Sequence, residues 1–512
     1  MEKKKKKKLI PGATIDIGAH SARMLIAMID EEEGSFTPLE ELEMPVPLGA
    51  DVFRNARISN ESIRILAGIL KNFKRKMEEY GVEKARAIAT SAVREAENAE
   101  VFLERIQHAT GLTLEIFDGS EEAYLDYLAV SEIPREYGFH ARKVLLADIG
   151  TGATQISAYD KGRLLFTETL KTGTLRSLEL MHAPGTGSNM RNMLSESLEK
   201  SFSELTHLSN DLKAETIIVL GSSARALFSF GAKASEKKAS VLRITKGEFS
   251  SLYRKLLKKK EGEMLEISPS STEVPEILLP CCMILENLFH LTNARELLLP
   301  AASTKYLLMK DFIARIHEKR NPFEKQILPM LERTAEKYRC FDPLTRKSTA
   351  FAELLFRKLE KLHALGEKEL LLLQAGSLLH KSGLFINNQG YHKHSFYLIL
   401  NTEIPGFSPE ERRMAALIAR YHRKSFPAFH HQEYMVLSRE KRGQVCKLAA
   451  LLRLGCGLAA NGADPELLQI QLRGNEKVTL TLQEDLQTLS GVIPEADQEF
   501  FRQIFACELV IA

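Results

Sequence analysis

The sequence predicts an α/β protein with a duplicated core, followed by an all-α block and a small α/β cap. Three observations carry that prediction. Residues 9–30 and 144–170 each read as a strand, a glycine turn and a second strand. The two stretches share a tripeptide, Asp16-Ile17-Gly18 and Asp148-Ile149-Gly150, offset by 132 positions. From "DFIARIHEKRNPFEKQILPMLERTAEKY" onward, apolar residues recur at helical spacing to about residue 460.

Taken in order, residues 1–9 form a basic tail, "MEKKKKKKL", whose like charges repel and stay solvated. Lobe I is expected at 10–135 and lobe II at 136–310, each interleaving strands with helical segments such as 59–80, 95–108 and 121–131. "TIIVLGSSARALF", residues 216–228, adds a strand running into a glycine-serine loop and a helix. The helical block follows at 311–460. In the cap, 461–512, "LLQIQLRGNEKVTLTL" alternates with period two around an Arg-Gly-Asn turn, the pattern of a hairpin.

Bulk properties narrow the classes. A chain of 512 residues exceeds the ~250–300 at which a single core stops growing. Hydrophobic residues at 44% and charged residues at 27% are ordinary for a soluble globular protein. No run approaches ~18 consecutive apolar residues and the N-terminus lacks a secretory core, so the expected location is cytoplasmic, with no membrane partner. A net charge of +3 gives no reason to expect a nucleic-acid partner. The six scattered cysteines show no metal-ligand spacing and read as thiols in a reducing compartment.

A strand, a glycine turn and a returning strand gather backbone N–H groups around one point, because glycine adopts backbone angles that side chains forbid. Such a concavity binds anions, phosphate above all. An aspartate at the strand end is suited to hold Mg2+ or its water. Two such loops on two lobes would grip a phosphate chain from both sides of a cleft.

The motifs "TIDIGAHSARMLIA", "AIATSAVREAENAEVFL", "LEIFDGSEEAYLDYLAV", "VLLADIGTGATQIS", "IIVLGSSARAL" and "GYHKHSFYLILNTEIPGFSPEERRMAALIARYHRKSFP" resemble, in order, the exopolyphosphatase and guanosine pentaphosphate phosphohydrolase family. The resemblance implies a duplicated actin-like, ribonuclease H-like core and a helical domain similar to His-Asp phosphohydrolases. It also implies Mg2+-assisted hydrolysis of a terminal phosphoanhydride, with inorganic polyphosphate or guanosine pentaphosphate as partner, by a homodimer. It places the catalytic glutamate in "GSEEA", most naturally at Glu121 with Glu122 beside it, and makes Arg94 a phosphate contact. Asp148 would position the metal. The three loops supply the other expected phosphate contacts: Gly18, His20 and Ser21; Gly150, Thr151, Gly152 and Thr154; Gly221, Ser222 and Ser223.

The chain departs from the family pattern at instructive places. Gln155 stands where the family carries a glutamate, and a neutral amide replaces a charged ligand or relay among the catalytic positions. Ser303-Thr304-Lys305-Tyr306 stands where an Arg-Glu-Gly is usual. In the helical block Lys381 follows His380 where an aspartate is expected, and Cys456 occupies another acidic position, so that block is expected to be scaffold. Its basic residues, His392, Lys393, His394, Arg420, His422, Arg423 and Lys424, line either a polyanion channel or a polar structural network. The rival to an active hydrolase is a catalytically weakened polyphosphate- or nucleotide-binding sensor of the same fold. A sugar or acetate kinase would want an adenosine-binding glycine pair that Gly221-Ser222-Ser223-Ala224 lacks.

Overall fold

Strands β1 (Leu9–Ile17) and β2 (Ser21–Asp30) form an antiparallel hairpin whose Ile15, Ile17, Met24 and Ile26 are buried in the first core. β3 (Ser35–Pro45), β4 (Lys84–Ala89) and β5 (Leu114–Ile116) complete a sheet in the order β3-β2-β1-β4-β5. The charged, largely exposed β3 is its edge, which discourages pairing with another chain. Helix Asn60–Glu79 begins at Ser59, whose side chain accepts the Ser62 N–H, and buries Leu66, Leu70 and Phe73 against the sheet. The coordinates are a computed structural model describing residues 8–131, 133–181, 190–208, 213–231, 241–258, 277–301, 303–317, 324–460, 464–474, 476–482 and 493–511. Most of the basic tail lies outside the described residues.

The second lobe repeats the scheme. β6 (Lys143–Ile149), β7 (Thr154–Asp160), β8 (Arg163–Leu170), β9 (Thr216–Leu220), β10 (Val241–Thr245) and β11 (Glu296–Pro300) form a sheet ordered β10-β11-β9-β6-β7-β8. Helix Leu278–Leu291, apolar on nearly every face, is buried against it. The duplication extends beyond the shared tripeptide. Asp16 pairs with Arg23 across β1 and β2 and lies beside Ile88 of β4; Asp148 pairs with Gln155 across β6 and β7 and lies beside Leu220 of β9. Every partner moves by the same 132 positions.

Helix Gly119–Ser131 packs against β7 and β8 of lobe II while following directly on lobe I, so it bridges the lobes. Helix Thr304–Ile316 makes the return journey: Met309, Phe312 and Ile313 pack on Leu25, Ala27 and Ile29 of β2. Asp311 on this helix forms a buried ion pair with Arg86 of β4. The expected boundary at 310/311 is therefore corrected, because it would cut a helix whose apolar face completes lobe I. The chain divides instead into compact units 1–323 and 324–512.

The second unit is helical from Glu324–Lys337 to Arg439–Ala460. It then forms a three-stranded sheet of β12 (Leu468–Arg473), β13 (Lys477–Leu482) and β14 (Glu508–Ile511), in which the expected hairpin turns at Gly474 with φ +58°. Helix Glu495–Phe505 docks the cap onto Arg439–Ala460. The latter is long and apolar enough for a membrane crossing by composition, yet most of it is buried inside the unit.

Candidate active site

Both glycine hairpins close alike: the Gly18 N–H donates to the Ser21 carbonyl at 2.9 Å, and the Gly150 N–H to the Ala153 carbonyl at 3.0 Å. The third loop needs its glycine outright. Gly221 has φ +109°, and a Cβ there would meet the Ile149 carbonyl oxygen at 2.3 Å. These loops face one another across a cleft of ≈ 130 Å³. Gly18, His20 and Ser21 wall it from lobe I; Gly150, Thr151, Gly221 and Ser222 wall it from lobe II. Asp16, Asp148 and Gln155 also face it.

The bridging helix supplies the remaining acids. At its start the Asp118 carboxylate accepts the N–H groups of Ser120 and Glu121 at 2.9 and 3.1 Å, and Glu121 accepts the Asp118 N–H at 3.1 Å. Glu121 thus closes a reciprocal capping arrangement and is not among the residues lining the cleft. Burial pushes its pKa up to about 7. Arg86 and Arg315 are its cationic neighbours. The glutamate that faces the cleft is Glu122, one position on. Its carboxylate lies 3.2 Å from Arg94 Nη1, which also donates to the Phe117 carbonyl at 2.5 Å. Burial raises the Glu122 pKa, and Arg94 opposes the rise.

Four further expectations are corrected on the same grounds. Arg94 holds Glu122 from behind instead of lining the cleft. Thr154 is buried with its hydroxyl on the Thr172 carbonyl, and Ser223 is buried against the Thr174 hydroxyl at 3.1 Å. Gly152 lies beneath the wall, where a Cβ would strike Ser91 Oγ at 2.4 Å. Each supports the cleft without facing it.

Sequence reasoning missed Asp126 and Arg23, which line the cleft, along with the strand-end residues Thr90 and Ser91 and the helix-start Thr304. Asp126 follows Glu122 by four residues, one helical turn, in the otherwise apolar run "AYLDYLAV"; an acid in such a run is the signal that would have found it. Asp126 and Asp148 are in hydrogen-bond contact; burial raises the pKa of both, with the charge of Asp148 adding to the rise at Asp126 and those of Glu122 and Asp16 adding to the rise at Asp148. Burial also raises Asp16, against the pull of Arg23 at 4.0 Å. Gln155 donates from Nε2 to the Gly119 carbonyl at 2.7 Å and the Thr167 hydroxyl at 3.0 Å, while its buried Oε1 has no partner. Four carboxyl groups, of Asp16, Glu122, Asp126 and Asp148, thus line one cleft.

The Ppx/GppA phosphatase family pattern matches residues 25–300, and domain III of the same family matches residues 331–490. The chain belongs to the Ppx/GppA phosphatase family. A guanosine-5'-triphosphate,3'-diphosphate pyrophosphatase of Aliivibrio fischeri is 22% identical over 443 residues, 86% of each chain. An exopolyphosphatase from Cytophaga hutchinsonii is similar in structure, with TM-score 0.53 and 19% identity over 60% of this chain and 98% of that one. An Aquifex aeolicus member gives TM-score 0.49 and 22% identity over 61% and 99%.

In this Ppx/GppA protein, the domain III positions singled out by sequence do converge. His380 and His422 stack edge-on at 4.7 Å, with Cys456 Sγ 3.8 Å from His380 Nε2. Each ring places Nδ1 2.6 Å from a backbone carbonyl, of Ser377 and Ala419, so Nδ1 carries the proton. His422 Nε2 meets the Tyr391 hydroxyl at 3.1 Å, and Lys381 pairs with Asp342 at 3.4 Å. Burial depresses His380 and His392 to about 4 and lowers His422 further. His392 and His422 are buried, which corrects their assignment to a polyanion channel. Lys393, Arg423 and Lys424 are exposed; His394 and Arg420 are half-buried, Arg420 over the Phe396 ring at 5.4 Å.

Proposed function

We propose that this chain hydrolyses a terminal phosphoanhydride, releasing phosphate from inorganic polyphosphate or the 5′ phosphate from guanosine pentaphosphate. The observation that supports this most is the meeting of Asp16, Glu122, Asp126 and Asp148 between two glycine hairpins. Glu122 accepts the proton of the attacking water. Its raised pKa strengthens it as a base, and Arg94 keeps its carboxylate oriented. Ser21, Thr151, Ser222 and Arg23 offer hydroxyl and guanidinium donors to the phosphates.

A polyanionic substrate entering a cleft of four acids needs a cation with it. The residues fit a hard ion such as Mg2+, because Asp148 faces the cleft beside an unpartnered buried amide oxygen, Oε1 of Gln155. Those two residues would hold it. When bound, the ion neutralises charge on the transferring phosphoryl oxygens. Among the described residues no three His, Cys, Asp or Glu side chains form a ready-made cage. Mg2+ normally binds through one or two carboxylates completed by water and substrate phosphates.

The sensor reading is favoured by one observation, the neutral Gln155 where the family resemblance expects an acid. On either reading the exposed Lys393, Arg423 and Lys424 of domain III offer a surface to a polyanion. These three cations and Arg420 are the charged groups that depress His392. A cytosolic homodimer belongs to the same proposal, and the free state of all six cysteines supports a reducing setting. Phosphate release from long-chain polyphosphate and from guanosine pentaphosphate, with Mg2+, tests it. Release by the wild type should fall about 10²–10⁴-fold in Glu122→Gln. Tight substrate binding with no release above background selects the sensor.

A further inference from the structure

We propose that Asp126 is the second carboxylate of the cation site, gripping the ion together with Asp148 and supplying from the helix the negative charge that Gln155 does not supply from the strand. The inference rests on the hydrolase reading only in taking the cleft to hold a divalent cation.

The two lobes differ in charge at one equivalent position. At the register position across from Asp16, lobe I places Arg23, a cation built into the chain and 4.0 Å away. At the same position across from Asp148, lobe II places Gln155, which is neutral. Asp148 instead has a second acid against it, because the turn of helix following Glu122 delivers Asp126 into hydrogen-bond contact. The charges acting most strongly on Asp148 are the acids Glu122 and Asp16, with Arg23 pulling less strongly, and those acting on Asp126 are Asp148 and Glu122.

Two buried carboxyl groups in contact persist only with a proton or a cation between them. The site also holds two oxygens ready for an ion. Asp126 Oδ2 and Gln155 Oε1 are both buried, both without a hydrogen-bond partner, and both belong to residues that wall the cleft. Asp126 is 5% exposed and Gln155 4%. A hard cation accepts such a mixed set of carboxylate and amide oxygens. Gln155 is then a neutral ligand that avoids placing a third charge beside two acids.

The probe is Mn2+, measured by electron paramagnetic resonance and calorimetry on the full chain, beside thermal unfolding in chelator. Asp126→Asn is expected to weaken Mn2+ binding about tenfold or more. The double variant Asp126→Asn with Gln155→Glu, which returns an acid from the strand, is expected to recover most of that loss. In chelator, Asp126→Asn should unfold no earlier than wild type, since it removes a repulsion. Mn2+ affinity in Asp126→Asn within twofold of wild type overturns the proposal, and so does a wild type that binds no Mn2+. A wild type that loses Mn2+ on Asp126→Asn yet releases no phosphate from either substrate leaves this proposal standing and sinks the hydrolase reading.

Discussion

In lobe I the aspartate closing β1 faces an arginine; in lobe II its counterpart closing β6 faces a glutamine. The backbones are equivalent, with the same hairpin hydrogen bond and the same parallel neighbour. The side chains have diverged in charge. A duplicated scaffold thereby makes an asymmetric cleft, with a cation of the chain across from one aspartate and a neutral amide across from the other. Duplication supplies the geometry, and single substitutions within it assign the roles.

The sharpest way to break this picture is at the bridging helix. Glu122→Gln should cost about 10²–10⁴-fold in kcat, whereas Glu121→Gln should cost less than about tenfold, because only the former faces the cleft. A reversed ranking would discard the assignment. Next, Arg23→Gln makes lobe I resemble lobe II. Losing a charge-assisted contact of about 1.5–3 kcal/mol should lower kcat/KM roughly 10–100-fold, mostly through KM. An unchanged KM would mean that the built-in cation does not touch substrate.

Gly221→Ala tests the third loop, whose lobe I counterpart, Ala89, already carries a Cβ. The positive φ and the clash with the Ile149 carbonyl should cost at least ~1–3 kcal/mol of unit 1 stability, read by thermal unfolding. The smallest effect concerns domain III. His380 and His392 stay neutral down to about 4 when folded but gain protons below the usual 6.5 when unfolded. The unfolded state binds more protons between those values, so stability is lost as pH falls from 6.5 towards 4. The melting temperature of this unit should drop by a few degrees over that range, and by less in His380→Gln. A flat profile would show that these rings are not held neutral.

Much of the site was legible in the chain. Asp16, Asp148 and the loop glycines Gly18, Gly150 and Gly221 stand out because a glycine turn between apolar strands has few other uses. Asp126 was not legible as a cleft residue, since nothing local separates a buried acid in a helix from an ion-paired one. Nor was the return of helix Thr304–Ile316 to lobe I, whose partners on β2 lie some 280 positions earlier. His392 and His422 read as basic surface because their burial depends on packing among helices distant in the chain.

By itself the sequence determined the repeated hairpins, the 132-position register and the presence of acids beside glycine loops, because period-two apolar runs and glycine turns are local properties. Only the tertiary structure decided which of two adjacent glutamates serves the cleft. Neighbours on a helix point about 100° apart at 3.6 residues per turn, and the helix's rotation is set by its packing on β7 and β8 of the other lobe.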